Sequence, residues 1–323
     1  MRLALGLFAA TLLACGAAPP PAAPAPCFAV HTDSDLRAKD AQKTLDELAQ
    51  RIQLSPEDEA LRHPKSVADL RGVMRRDLVY VFADAATFAG TLNTLEGRLI
   101  EAALELYLGD SQLIASQILN TQEAWVGADL RIARANVATE GAQPTTDRGR
   151  MLAQLIRVVE EGNKIADALG IVAPVHLAKG AELIRALQIE APTDVRTFTL
   201  VAEYHRLRGE WPEFDTAMAA AKTADRASPA LCYLEGMAQL ERLRRPDVGA
   251  TMMRDCLTKF PKFVRAQAAL VLMATNAADG IRELENLKQM NQDHYLVMLL
   301  EPMLAADGEL LHVRHRGGRD VEH

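Results

Sequence analysis

Eight histidines, four cysteines and an excess of carboxylates, 43 Asp and Glu against 36 Lys and Arg, are the residues from which chemistry could be assembled. Acid–base or metal chemistry needs several such groups converging, and in a sequence this shows as short, fixed spacings. The histidines stand at 31, 63, 176, 205, 294, 312, 315 and 323. None belongs to an HExxH pattern, and no pair shares a helix face with a carboxylate at ligand spacing. His205 falls on a large, inward-facing position of a helical pattern and reads as a packed core residue. His312 and His315 could chelate a metal weakly, but a polar tail without supporting partners makes a poor site. Acids such as Glu160-Glu161 and Glu283/Glu285 read as solvated helix faces. GxSxG, a Gly-rich phosphate loop and a dinucleotide turn are all missing. The sequence therefore predicts a binding protein, not an enzyme, with no cofactor and no metal.

The remaining reactive group is a thiol with a distinctive position. Met1-Arg2 is followed by an apolar run, Leu3 to Ala14, that ends at Cys15-Gly16. One cation before about a dozen apolar residues is a secretory signal, too short to span a bilayer. Leu12-Leu13-Ala14-Cys15 resembles a bacterial lipobox, which implies cleavage before Cys15 and acylation of that residue. An ordinary signal peptide cleaved nearer Ala18 is the other reading. Several acyl chains on one residue anchor a protein firmly where one would not. Residues 17–26 are all Ala or Pro, a composition that favours extended polyproline structure and a semi-rigid spacer. Gly16 in place of an Asp favours the outer membrane, with the protein facing the periplasm.

The rest of the 323 residues must build whatever is tethered. A net charge of −7 argues against nucleic acid, whose phosphates call for Lys and Arg. With 49% hydrophobic residues, 5% aromatics and few β-branched runs, an all-β fold is disfavoured. Apolar residues recur at helical spacing over 36–54 and again over 67–82, where Leu78 to Phe82 could also be a buried strand. Further helical patterns cover about 90–108, 110–138, 147–170 and 174–189. Gly109-Asp110, residues 141–146 and residues 170–174 supply the expected breaks.

A repeat emerges beyond residue 190. Val195-Arg196-Thr197-Phe198 aligns with Ala230-Leu231-Cys232-Tyr233 and with Val264-Arg265-Ala266-Gln267, offsets of 35 and 34 residues. Small residues such as Ala202, Gly236 and Ala221 fall between large ones such as Phe198, Tyr233 and Met253. Gly209 to Phe214 forms the inter-helix turn, and Pro261 closes a unit. The pattern resembles the tetratricopeptide repeat, a helix-turn-helix unit of 34 residues, firmly over 195–261 and more loosely over 174–290. Phe214 and Glu283 depart from it, standing where the family has small residues. The resemblance implies an all-α fold: helix-turn-helix repeats stacked into a tetratricopeptide-like (TPR-like) α-solenoid, with divergent N-terminal helical hairpins. The chain then divides into a signal peptide (1–14), a lipidated Cys and Pro/Ala tether (15–32) and divergent hairpins (33–146). TPR-like repeats with a capping helix at 295–300 occupy 147–307, and a loose tail occupies 308–323. Cys232 and Cys256 come to the open end of one hairpin. They either pair as a disulfide in an oxidising compartment or fill a tight helix interface as small thiols.

Stacked first helices line a concave groove. By family analogy, its side chains include Arg196, Glu203, Arg206, Leu234, Glu241, Arg242 and Arg265. The arginines could fork onto carboxylates or carbonyls of a bound envelope protein or peptide. The Lys/Asn clamp of chaperone-binding members is not reproduced. These features point to a membrane-anchored periplasmic binding scaffold. The alternative is a helical-repeat accessory lipoprotein of a solute transport system, whose helices would surround a cavity.

Overall fold

A computed structural model describes residues 32–125 and 147–301. Cys15, Cys27, the Pro/Ala tether, residues 126–146 and the tail with His312 and His315 lie outside the described residues. Within them the chain is all-helical, with no strand.

The N-terminal part comprises α1 (Thr32–Arg51), α2 (Pro56–Glu59), α3 (Val67–Arg76), a 3-10 turn at Val79–Val81 and α4 (Phe82–Thr91). Ser66 caps α3 by accepting from the Asp69 amide, which satisfies one of the free donors of the first turn. Asp77 ends the helix at φ 52°, so the predicted helix over 67–82 is divided there. Val79 to Phe82 is helical, and Leu78, Val81 and Phe82 are buried with Leu70 and Val73.

Two long helices follow: α5 (Leu95–Trp125) and α6 (Asp147–Glu190), 31 and 44 residues. The breaks expected at Gly109-Asp110 and at 170–174 do not occur. The reason is tertiary packing. The helices run antiparallel, tied by Ser116 Oγ donating to the Ala166 carbonyl at 2.8 Å and by the Arg98–Glu190 pair. A Cβ on Gly109 would lie 2.7 Å from Leu177 Cγ, and one on Gly180 would lie 2.9 Å from Leu106 Cδ2. Each glycine is the hole for the other helix's leucine, so contact offsets the usual helix cost of Gly, roughly 1 kcal/mol. Pro174 sits inside α6. Its interior cost is overridden by buried neighbours, Ala166, Val172 and Ala173.

Three helical pairs complete the chain. They are α7 (Val195–Arg208) with α8 (Trp211–Ala224), α9 (Pro229–Glu241) with α10 (Pro246–Lys259), and α11 (Val264–Met273) with α12 (Ala277–Met290). Pro212, Pro229 and Pro246 stand in first turns, where the missing N–H is harmless. Asp194 and Asn276 cap α7 and α12. The first pair turns at Gly209, which takes φ 69°. Ala202 and Ala221 are fully buried, as the small positions of the repeat require. Between α9 and α10, a Cβ on Gly249 would meet the Gly236 carbonyl at 2.8 Å. The first helices α7, α9 and α11 contact one another in succession. Helical residues 295–301 follow, with Leu296 and Val297 buried against Leu284 and Leu287 of α12.

α5 is the centre. Leu99, Ala103 and Leu106 join the core of the helical pairs, Ile100, Leu104 and Leu108 join the N-terminal core, and Ala115 joins the C-terminal one. From Leu99 to Gln112 every position of α5 but the half-buried Tyr107 is buried, which makes this stretch the interior axis of the fold.

Candidate functional site: a buried charge cluster between four helices

The inner helices present a connected set of charges, and α5 completes it. Arg206, on α7, is 3% exposed. Its Nη2 donates to Asp110 Oδ2 of α5 at 2.8 Å and its Nε to Glu203 Oε2 at 3.0 Å, while Nη1 donates to Glu241 of α9. Arg265, on α11, lies over the Tyr107 ring of α5 at 3.6 Å from the centroid and over Tyr233 of α9 at 4.8 Å. Its Nη2 stands 3.4 Å from Glu203 Oε1 and 3.5 Å from Asp110 Oδ2. Four helices thus converge on two guanidiniums and three carboxylates, a planar, bidentate use of arginine that lysine would not reproduce.

Burial sets the titration of these groups. Loss of water pushes the Asp110 carboxyl up, outweighing the pull of Arg206. Glu203 is desolvated too, but Arg206 and Arg265 together overcome that and hold it below its ordinary value. Burial raises Glu241. Both guanidiniums are held well above their ordinary range, since carboxylates and tyrosines outweigh desolvation. The cluster is electrostatic glue between α5 and the helical pairs.

This changes the reading of the groove. Of its seven expected residues, Glu203, Arg206, Leu234 and Arg265 are buried against the chain itself and are closed to a partner. Glu241 is at the edge, with its side chain 32% exposed. Arg196 and Arg242 reach the surface: Arg196 pairs with Asp194 at 2.6 Å, and Arg242 with Asp215 at 2.9 Å beside the Trp211 ring. The missed members are Asp110, Tyr107 and Tyr233. Asp110 carried a signal, being an acid set among Leu104, Leu106 and Leu108, where an unpaired charge is not tolerated.

A second buried cluster locks α5 to α6. Glu105 accepts from Lys179 at 2.7 Å and sits 2.6 Å from His176 Nδ1. Burial raises the Glu105 carboxyl, but these two partners outweigh it and hold it low. At the far end, His294 Nδ1 accepts from the Leu296 amide, so its Nε2 carries the proton and donates to Asp77 at 3.0 Å. His205 is half-buried and paired with Glu210 at 2.8 Å, at the wall of a surface cleft of about 370 Å³. Glu283 corrects an expectation, because it is 4% exposed and not solvated: it accepts from Gln267 at 3.0 Å and from Arg254 at 3.1 Å.

Cys232 and Cys256 are bonded, with Cα atoms 5.8 Å apart, joining the first turns of α9 to the end of α10. They sit at the open end of that pair, as the repeat register requires. Among the described residues, no helix is long and apolar enough to cross a membrane. Comparison with protein-family models, with curated proteins and with solved structures finds no match.

Proposed function

We propose that the chain is a TPR-like binding scaffold of the bacterial envelope, held to the periplasmic side of the outer membrane by acylated Cys15. The observation that carries this reading is the run of three helical pairs starting at Val195, Pro229 and Val264, with first helices touching in order. Stacked pairs of this kind work through extended surfaces. Because α5 fills the inner groove, the partner is an envelope protein or peptide that docks on the outer rim, where Arg196 and Arg242 are exposed. Both arginines already hold carboxylates of the chain, so an acidic segment of a partner would compete for the same forks. The filled groove also favours docking over solute transport, which calls for a cavity between the helices.

Two experiments test the reading. Cys15→Ser should abolish labelling by a fatty-acid analogue and release the protein from membranes; persistence in the membrane fraction would overturn the anchor. A photo-crosslinking residue at Arg242 should capture a discrete partner in intact cells, and the same residue at the buried Leu234 should not. Equal capture at both positions, or none at Arg242, would reject the rim.

A further inference from the structure

The disulfide does not simply staple α9 to α10. Its two sulfurs are unequal: Cys256 is 1% exposed, whereas Cys232 is half-buried and lines a cleft of about 540 Å³. That volume lies within the range of small-molecule sites, about 300–1,000 Å³. Leu231 and Phe260 supply an apolar floor, and Lys222, Arg226 and Lys259 stand around it. Glu235 is the acid in the lining and pairs with Lys222. Arg226 and Lys259, both exposed, have no ion-pair partner among the described residues. In a chain of net charge −7, this is a local concentration of positive charge beside the reachable sulfur of a disulfide. The start of α9 adds to it through the positive end of the helix dipole, which Ser228 leaves without a side-chain cap.

We infer that this cleft is an exchange site at which anionic low-molecular-weight thiols reduce the Cys232–Cys256 disulfide through Cys232. The cations draw in the carboxylate or sulfonate of the thiol, and its thiolate attacks Cys232 Sγ. A sulfur–sulfur bond forms to the incoming thiol as the Cys232–Cys256 bond breaks, and the electron pair leaves on Cys256 Sγ, which takes a proton from water. A second thiolate attacks the outer sulfur of the mixed disulfide. The incoming thiols are oxidised to their disulfide, and the protein is reduced to two thiols. As a leaving group Cys232 would be the better thiolate, because it sits at a helix start while Cys256 sits at a helix end. Access nevertheless decides, because an attacking thiolate must reach the sulfur it attacks and Cys256 is closed.

The test exposes the oxidised full-length protein to 2-mercaptoethanesulfonate or to the cationic thiol cysteamine. Samples are quenched with N-ethylmaleimide so that the released thiol cannot reclose, and the sulfurs are assigned by peptide mass. Rates are expressed per thiolate. The expected result is a thiol adduct on Cys232 and maleimide on Cys256, with the anionic thiol about tenfold faster than the cationic one at low salt. The preference should collapse toward unity at about 0.5 M salt, which screens charges beyond a few ångströms, and in the Arg226→Glu/Lys259→Glu variant. The salt series uses the unaltered protein, so it stands even if the variant is misfolded. An adduct on Cys256, no adduct at all, or a preference indifferent to both salt and charge reversal would overturn the inference.

Discussion

Replacing Arg206 with Met is the sharpest probe of the inner cluster. The guanidinium is buried and donates to three carboxylates, Asp110, Glu203 and Glu241. Met fills much of the stem's volume but leaves those three acids facing the single cation of Arg265. Breaking a buried pair from one side costs about 3–5 kcal/mol, because the abandoned charge stays desolvated. For a folded body of this size, that lowers the melting temperature by roughly 6–20 °C. Asp110→Asn should cost less, about 1–3 kcal/mol, because Arg206 keeps Glu203 and Glu241 and because Asp110 already resists ionisation. In the double variant the two losses should not add, since the neutral Asn relieves part of the repulsion that Met creates; a coupling of about 1–3 kcal/mol is expected. Thermal and urea unfolding followed by circular dichroism at 222 nm measure all three variants. A loss below about 1 kcal/mol for Arg206→Met, or strict additivity, would refute the argument that α5 is held in the groove by these charges.

Further expectations concern packing and pH. Gly249→Ala puts a methyl 2.8 Å from the Gly236 carbonyl and should cost about 1–3 kcal/mol. Gly280→Ala, whose methyl meets Ala274 at an ordinary 3.6 Å, should stabilise by about 0.5–1 kcal/mol, and the pair is compared by urea midpoint. Ala202→Trp should disrupt the first helical pair, and an unchanged melting temperature would reject the repeat register. Glu105 has a folded pKa below its unfolded 4.5, so its stabilisation is present above that pH and is lost as pH falls through the folded value. Glu105→Gln should therefore flatten the acid limb of a stability profile below about pH 5 while lowering the plateau; an unchanged limb would reject the pairing with Lys179 and His176.

The helical pairs could be read from the sequence because their signal is local. Ala202 and Gly236, 34 residues apart, and Ala221 must be small so that two adjacent helices can touch. The same local reading misjudged Gly109 and Pro174. A glycine or proline taken alone signals a break, yet here the reason for each lies on another element: Leu177 seats against Gly109, and buried neighbours carry Pro174 through. Arg206 and Arg265 were expected to face a partner in a groove, and both are buried against the chain itself. What faces them was not legible, because their partner Asp110 lies 96 residues upstream of Arg206 and nothing in the repeat points to it. Glu283 shows the same limit, since its burial depends on Gln267 and Arg254 from neighbouring helices.

The passage of α5 through the inner face has a kinetic consequence. Ordinary repeat arrays can fray or grow one unit at a time, because each unit needs only its neighbour. Here the first and the last helical pair also grip α5 directly, through Arg206 and Arg265, and α5 is synthesised before either pair exists. A shortened chain lacking the final pair would strip Arg265 and the C-terminal cover from α5 and leave its apolar flank open to water. Opening should therefore be concerted across the helical pairs, with hydrogen-exchange protection nearly uniform from α5 to α11. Closure of the charge cluster waits for contacts about a hundred residues or more apart along the chain, so these pairings should form after the local helical ones.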